Sequence, residues 1–523
     1  MSIDEQVRPY PELDDVARRD TLRLHQLGYA QELHRRMSGF SNFAVSFSII
    51  SVLTALTIYG YGLGTGGPAD LVWGYLLVGI LVIVVGCGMA EICSSYPTSG
   101  GLYYWAGRLG GKNGPAWSWF TGWFNVLGQV AVTAGIDFGF ATFFLAFLNL
   151  TTGLAVTTHN QLVIYGLALL VHASLNTFGV RVVAFLADVS AWWHLAGVAV
   201  ITLVLLLVPA HHASLHYVFA TFKNQTGFRS GVYVFFLGLL FAQYNFTGYD
   251  ASAHMTEETH DAALAGPRGI VTSIVISLVA GLVLMTTVTY ATTNYASAIT
   301  SPTGVPPLQI FLDALGRHGG ELLFVIAFVA AFFCGMCSVT ANSRMIFAFS
   351  RDGALPGSGL WSKINKKTGT PTNAVWIAAI FAFILGLPYL WNPTSFTAIT
   401  SIATIGLYIS YGLPILLRRL HPENFERGPW HLGRWSGLVG WIAVIWIAFI
   451  TILFCLPEVS PVTWDTFNYA PIAVGVVLVF SGAWWLVSAR KWFKGPRRQG
   501  DEATLRELEK AFGGTDSVGG LTR

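Results

Sequence analysis

Long apolar stretches separated by short polar ones fill most of this chain, and two of them are interrupted by glycine and polar residues. Twelve segments have the length and apolar content of membrane-crossing helices: 43–62, 71–92, 116–148, 161–179, 184–209, 231–254, 269–292, 321–349, 373–390, 396–417, 436–457 and 469–490. The first carries Ser51, Thr54, Thr57, Gly60 and Gly62 inside its apolar run; the sixth carries Asn245, Thr247, Gly248 and Asp250. A helix broken at membrane depth leaves N–H and C=O groups that lipid cannot pair, so the break survives only where it lines a cavity inside the protein. Two breaks in corresponding positions of two halves are the pattern expected around the solute site of a membrane carrier.

The interrupted spans are five apart. Because five is odd, spans 1–5 and 6–10 must cross in opposite senses, which predicts a 5+5 inverted repeat related by a pseudo-two-fold axis in the membrane plane. The expected fold is therefore an all-α integral membrane protein of twelve transmembrane helices with helices 1 and 6 broken. Residues 1–38 form an N-terminal tail, and 39–495 a single transmembrane domain. Within it lie one repeat at 39–210, a second at 230–420 and two extra helices at 436–490. Residues 496–523 form a C-terminal tail.

Composition supports the membrane assignment. Of 523 residues, 53% are hydrophobic and 11% charged, well below the quarter usual in soluble domains. Of the 30 Lys and Arg, all but Lys223, Arg229 and Arg317 fall on the side of the N-terminus if there are twelve crossings. That bias places both termini in the cytoplasm of a multi-pass cell-membrane protein. No apolar run precedes residue 43, so no cleavable signal is expected. The tail from Leu22 to Met37 either lies on the inner leaflet or caps the cytoplasmic mouth. The basic cluster from Arg490 to Arg498 reads as a membrane-surface patch and not as a nucleic-acid site. The five cysteines lie in or at the ends of spans; Cys334 and Cys337 are one turn apart without metal-ligating partners, so they are read as small packing residues and no metal or cofactor is expected. No phosphate-binding loop or HExxH pair is present, which argues against an ATP-driven machine and against an enzyme.

Several segments resemble one family. Gly39-Phe40-Ser41-Asn42-Phe43-Ala44 and Tyr61-Gly62-Leu63-Gly64-Thr65-Gly66-Gly67-Pro68 are similar to the first span of amino acid permeases, and Glu91 to Tyr103 to the segment after their second span. Phe246-Thr247-Gly248-Tyr249-Asp250-Ala251 with Glu257-Glu258, and Asn342-Ser343-Arg344 with Ser350 to Pro356, resemble spans 6 and 8. Together they resemble the amino acid–polyamine–organocation superfamily, in the branch of amino acid, GABA and choline permeases. The resemblance implies an alternating-access carrier. One departure stands out: the glycine-rich triplet common in the first break is replaced by Ser51-Val52-Leu53-Thr54-Ala55, whose Ser51 and Thr54 hydroxyls could satisfy freed backbone groups.

An amino acid needs donors for its carboxylate and acceptors for its amine. The break backbones can supply both. The carboxylate is expected near Ser51, Val52 and Thr54, with Ile50 beside them. The amine is expected near the carbonyls of Ile49, Tyr244 and Phe246. Gly248 opens the second break, and Tyr244, Asn245 and Tyr249 would set side-chain specificity. Asp250, a carboxylate at membrane depth, would bind a cationic head, carry a proton or partner another buried polar group. The resemblance places His194 of span 5 where proton-coupled relatives carry a lysine against span 1. It would carry the coupled proton or serve as a core histidine bonded to a span 1 carbonyl. Asp137 is expected to face the bundle or a water path, and Asp188 to be interfacial. Glu91 and Glu257 would pair with Arg35, Arg36, Arg344 or Arg351 as an inner gate, or form ordinary surface pairs. The expected partners are a small amino acid or amine, a proton and the bilayer. The functional expectation is proton symport or exchange of an amino acid such as GABA. The alternatives are a polyamine, choline or ethanolamine carrier, or a receptor that keeps the fold without transport.

Overall fold

Ten helices long and apolar enough to cross a membrane appear among residues 14–512, the part of the chain that the computed structural model describes. The ends of the two predicted tails, 1–13 and 513–523, lie outside the described residues. The N-terminal tail contributes α1 (Asp15–Leu27). The first interrupted span is α2 (Gly39–Ile50) and α3 (Tyr59–Gly64), joined by a 3₁₀ turn over Thr54–Ile58. Then come α4 (Gly67–Ser95), α5 (Gly101–Leu109), α6 (Gly114–Thr152), α7 (Thr158–Thr177) and α8 (Val180–Leu207). The second interrupted span is α9 (Gly231–Asn245) and α10 (Ala251–His254). It is followed by α11 (Ala262–Tyr290), α12 (Pro306–Arg351), α13 (Thr372–Gly386), α14 (Ser395–Leu420), α15 (Ser436–Leu453) and α16 (Ala470–Trp484).

Two of the twelve expected spans are not among the ten. Segment 161–179 corresponds to α7, which is too polar to qualify, and segment 231–254 is divided so that α9 is only 15 residues long. The division is itself the expected break: a chain that leaves the helix at Phe246 cannot form one continuous apolar cylinder. The eighth predicted span, 321–349, lies inside the longer α12, which bends at Gly316, where the backbone is not helical.

The centre is packed from α2, α4, α6, α9, α11, α12 and α14, whose helices touch through small residues. A Cβ on Gly406 of α14 would lie 3.0 Å from Gly128 Cα on α6, so the two backbones meet directly there. Lipid offers helices no hydrophobic reason to associate, and such close approach supplies the packing instead. On the face opposite the termini, a two-stranded antiparallel pair, β1 (Thr65–Gly66) and β2 (Lys223–Asn224), fastens the end of α3 to the loop before α9.

The N-terminal segment is a cap and not a surface-lying arm. Leu24, Leu27, Tyr29, Ala30 and Leu33 are buried. The backbone N–H groups of Arg36 and Met37 donate to the Glu258 carbonyl at 2.9 and 2.8 Å, and Gln31 donates to the Glu257 carbonyl at 2.7 Å. Buried Arg35 donates to the Thr256 and Thr259 carbonyls and faces Asp20 at 3.6 Å. Burial raises the Asp20 carboxyl, with Arg35 pulling it back toward the ionised form.

Candidate functional site

The two broken helices meet at one small cavity lined by buried residues. The first break begins where α2 ends: Ser51 takes a left-handed backbone, φ 35°, before the chain resumes as a 3₁₀ turn. A non-glycine residue there is uncommon and is held only when its surroundings over-determine it. Here three groups do so. Ser51 Oγ lies 2.6 Å from His194 Nε2 and 2.5 Å from Thr54 Oγ1, and accepts the Thr54 N–H at 3.2 Å. The hydroxyls of Ser51 and Thr54 thus stand in for the missing glycines. The second break runs from Phe246 to Asp250, with Gly248 at φ 84° and packed on Ile49, so that a Cβ would overlap the Ile49 side chain.

Asn245 ties the breaks together. Its Nδ2 donates to the Ile50 carbonyl at 2.5 Å and reaches the Ser51 carbonyl at 3.3 Å, while its Oδ1 accepts from Tyr75 Oη at 2.8 Å. The other freed carbonyls also have partners. Thr247 donates to Tyr244 O at 2.6 Å, Tyr408 to Phe246 O at 2.5 Å, and Cys334 Sγ to Ile49 O at 3.2 Å. The expected acceptors Ile49, Tyr244 and Phe246 therefore sit at the junction, but their carbonyls are already engaged.

The cavity is lined by Ile49, Ile50, Thr54, Ala55, Ile136, Tyr244, Asn245, Thr247 and Cys334 and has a volume of about 10 Å³. Such a space holds about one water molecule, so an amino acid can occupy it only if the walls part. Ile49, Ile50, Thr54, Tyr244 and Asn245 line it as expected; Ser51, Val52, Phe246, Gly248, Tyr249 and Asp250 lie outside its wall. The Tyr244 hydroxyl, packed on Gly135, is buried without a hydrogen-bond partner.

Asp250 points elsewhere. Its Oδ1 accepts from Tyr411 Oη at 2.8 Å. Its Oδ2 accepts from Gln129 Nε2 at 2.9 Å and from Asn125 Nδ2 at 3.3 Å, and lies 3.3 Å from His254 Nε2. Of the roles expected for this carboxylate, the geometry fits partnership with other buried polar groups. Gln129 and Asn125 were legible as polar residues four apart on one face of span 3, but nothing in the sequence paired them with Asp250.

His194 is fully buried against the first break. Its Nδ1 lies 2.8 Å from the Ser190 carbonyl, which can only accept, so Nδ1 carries a proton and Nε2 faces Ser51. Its span 1 partner is a hydroxyl and not the expected carbonyl. Asp137 does face the bundle: its Oδ1 is 2.6 Å from His172 Nδ1, both side chains buried beneath Gly335. Asp188 accepts from Ser41 at 3.2 Å at the rim of a cavity on the face of the termini.

Toward that face lie buried ion pairs. Glu257 receives both terminal nitrogens of Arg351 at 2.9 and 3.0 Å, and Glu258 receives Arg344 at 2.8 and 3.3 Å. These are not surface pairs: all four side chains are at most 5% exposed. Glu91 pairs with Arg418 instead of the arginines expected for it. On the opposite face two adjoining cavities of about 350 and 240 Å³ share Gly60, Tyr61, Ile299 and Thr397, and the larger reaches Thr57, one turn from Thr54.

Comparison with known proteins places this geometry in context. The family model described as amino acid permease matches residues 37–479. The chain is 46% identical to Amino-acid permease BAT1 of Arabidopsis thaliana over 91% of its own length and 96% of that protein. It is 45% identical to the Oryza sativa homologue, over 91% and 95%. Amino-acid permease 2 of Neurospora crassa is 30% identical over 94% and 91%.

Proposed function

The chain belongs to the amino acid permease family, a family of membrane transporters and not of enzymes, and we propose that it moves an amino acid across the cell membrane by alternating access between twelve helices arranged as a 5+5 inverted repeat. The observation that supports this reading is the convergence of two broken helices on one small buried cavity, with buried ion pairs toward the face of the termini and a vestibule on the other. With both termini cytoplasmic, that state is closed inward.

The solute descends past Thr57 and parts Thr54 and Ala55 from Tyr244 and Asn245. The unpartnered Tyr244 hydroxyl and the Thr54 hydroxyl are the polar groups available to it, and Ile49, Ile50 and Ile136 form the apolar wall. Ser51, Val52, Phe246 and Gly248 act from behind that wall by shaping the breaks. Asp250 anchors the second break to helices α6 and α14, which disfavours the polyamine or choline alternative because its oxygens are already occupied.

Coupling to a proton resides at His194. Neutral, its Nε2 accepts from Ser51; protonated, it must donate there. The Ser51 hydroxyl then turns toward the Thr54 hydroxyl, three residues further along the break. Protonation thus reverses a hydrogen bond that holds the left-handed turn.

The test is uptake into proteoliposomes of radiolabelled amino acids, GABA, choline and putrescine, with and without an inward proton gradient. Gradient-driven accumulation of an amino acid is expected. Uptake only against internal amino acid would make the protein an exchanger, and binding without uptake of any would make it a receptor.

A further inference from the structure

The loop between α15 and α16 folds over the vestibule. Asn468 Nδ2 closes it by donating to the carbonyls of Phe454 and Leu456 at 2.8 and 2.9 Å. It is fastened to the loop before α9, where the Ser460 N–H donates to Thr226 O at 2.7 Å, and to α9 itself, where Tyr233 Oη donates to Pro457 O at 2.6 Å. Between these fixed points Glu458 enters the cavity wall, accepting from Ser401 Oγ of α14 at 3.1 Å. Gln225, Thr394, Thr397, Thr65 and Tyr61 share that wall. Among the described residues lining this cavity and its neighbour, Glu458 is the sole acidic or basic one.

We propose that this vestibule is an access site for a primary ammonium group, with Glu458 as its counter-charge. An ammonium has three donors and no acceptor. The Glu458 carboxylate and the oxygens of Gln225 and Thr397 offer what it requires, whereas the carboxylate end of an amino acid is repelled. The site would orient an arriving amino acid amine-first at the mouth, some distance before the central cavity. This inference rests on the transport reading for its purpose, but not for the binding itself.

The charge state of Glu458 sharpens the test. Burial pushes its carboxyl up to about 7, against the Ser401 hydrogen bond and the nearby Tyr61 hydroxyl, which lower it. The groups facing it are the hydroxyls of Tyr61 on α3 and Tyr233 on α9, with uncharged Ser401 and Thr397 on α14. Because the folded-state value lies above that of a free glutamate, acidification through about pH 7 neutralises the site and removes its attraction for a cation.

The probe is n-butylammonium, followed by thermal shift of the purified full-length protein and by inhibition of amino acid uptake. Binding is expected at about pH 8 and weakened at about pH 5.5. In Glu458→Gln it is expected to weaken roughly tenfold, with a similar rise in KM for uptake and Vmax held, as for loss of one charge-assisted hydrogen bond. Glu458→Asp, which keeps the charge, should retain most of it. Equal n-butylammonium affinity in wild type and Glu458→Gln, or a fall in Vmax with unchanged KM, overturns the proposal. Should Glu458→Gln not fold, an affinity that stays constant between the two pH values overturns it. Absence of any amino acid uptake by wild type, with n-butylammonium binding still dependent on Glu458, rejects the transport reading and leaves the cation site standing.

Discussion

His194 Nε2 lies 2.6 Å from the hydroxyl of Ser51, and Ser51 is one of only two non-glycine residues at positive φ among the described residues. The strained turn that interrupts span 1 is therefore held by a titratable side chain from span 5. His194→Gln keeps a hydrogen-bonding side chain but cannot titrate. It is expected to abolish stimulation of uptake by an inward proton gradient while leaving counterflow exchange of preloaded amino acid. Retained gradient stimulation would remove His194 from coupling.

Asn245→Ala removes the donor that joins the breaks and strands the Ile50 carbonyl in a buried site. Leaving a buried acceptor unmade costs about 1–3 kcal/mol. A lowered thermal midpoint in detergent and a raised KM are expected together; a variant with wild-type KM would separate the bond from the solute site.

The buried ion pairs toward the face of the termini depend on compensation of charge. Glu258→Gln leaves Arg344 uncompensated and is expected to cost about 3–5 kcal/mol in denaturant unfolding. Glu258→Gln combined with Arg344→Met should recover much of that loss, because the cost is the orphaned charge and not the missing attraction. A double variant as unstable as the single would show that the pair stabilises the protein in its own right.

Gly248→Ala places a methyl against Ile49 and forces φ 84° on a residue with a side chain. Backbone strain of about 1–2 kcal/mol adds to overpacking of about 1–3 kcal/mol. Uptake should be lost. Gly475→Ala is the matched control, since a Cβ there meets nothing within 4 Å, and it should transport as wild type.

Much of this was readable from the chain. The apolar runs located ten helices long and apolar enough to cross a membrane, and glycine and polar residues inside two of the predicted spans located the breaks, because lipid tolerates neither exposed backbone nor isolated polar groups. The burial of Asp137, Asp250 and His194 followed from the same rule. The partners did not. Gln129 and Tyr411 meet Asp250 from helices far away in sequence, Arg418 and not Arg351 meets Glu91, and His172 meets Asp137.

The sequence by itself determined which segments are apolar enough to cross a membrane, where two of them break and that the class is a transporter, since these depend on local solvation along each segment. Only the tertiary structure decided which hydroxyls replace the absent glycines, that Asp250 is saturated and turned away from the cavity, and that the loop carrying Glu458 reaches the vestibule. Hydrogen bonds act over about 3 Å, and which groups come that close is set by how the helices pack, not by their spacing in the chain.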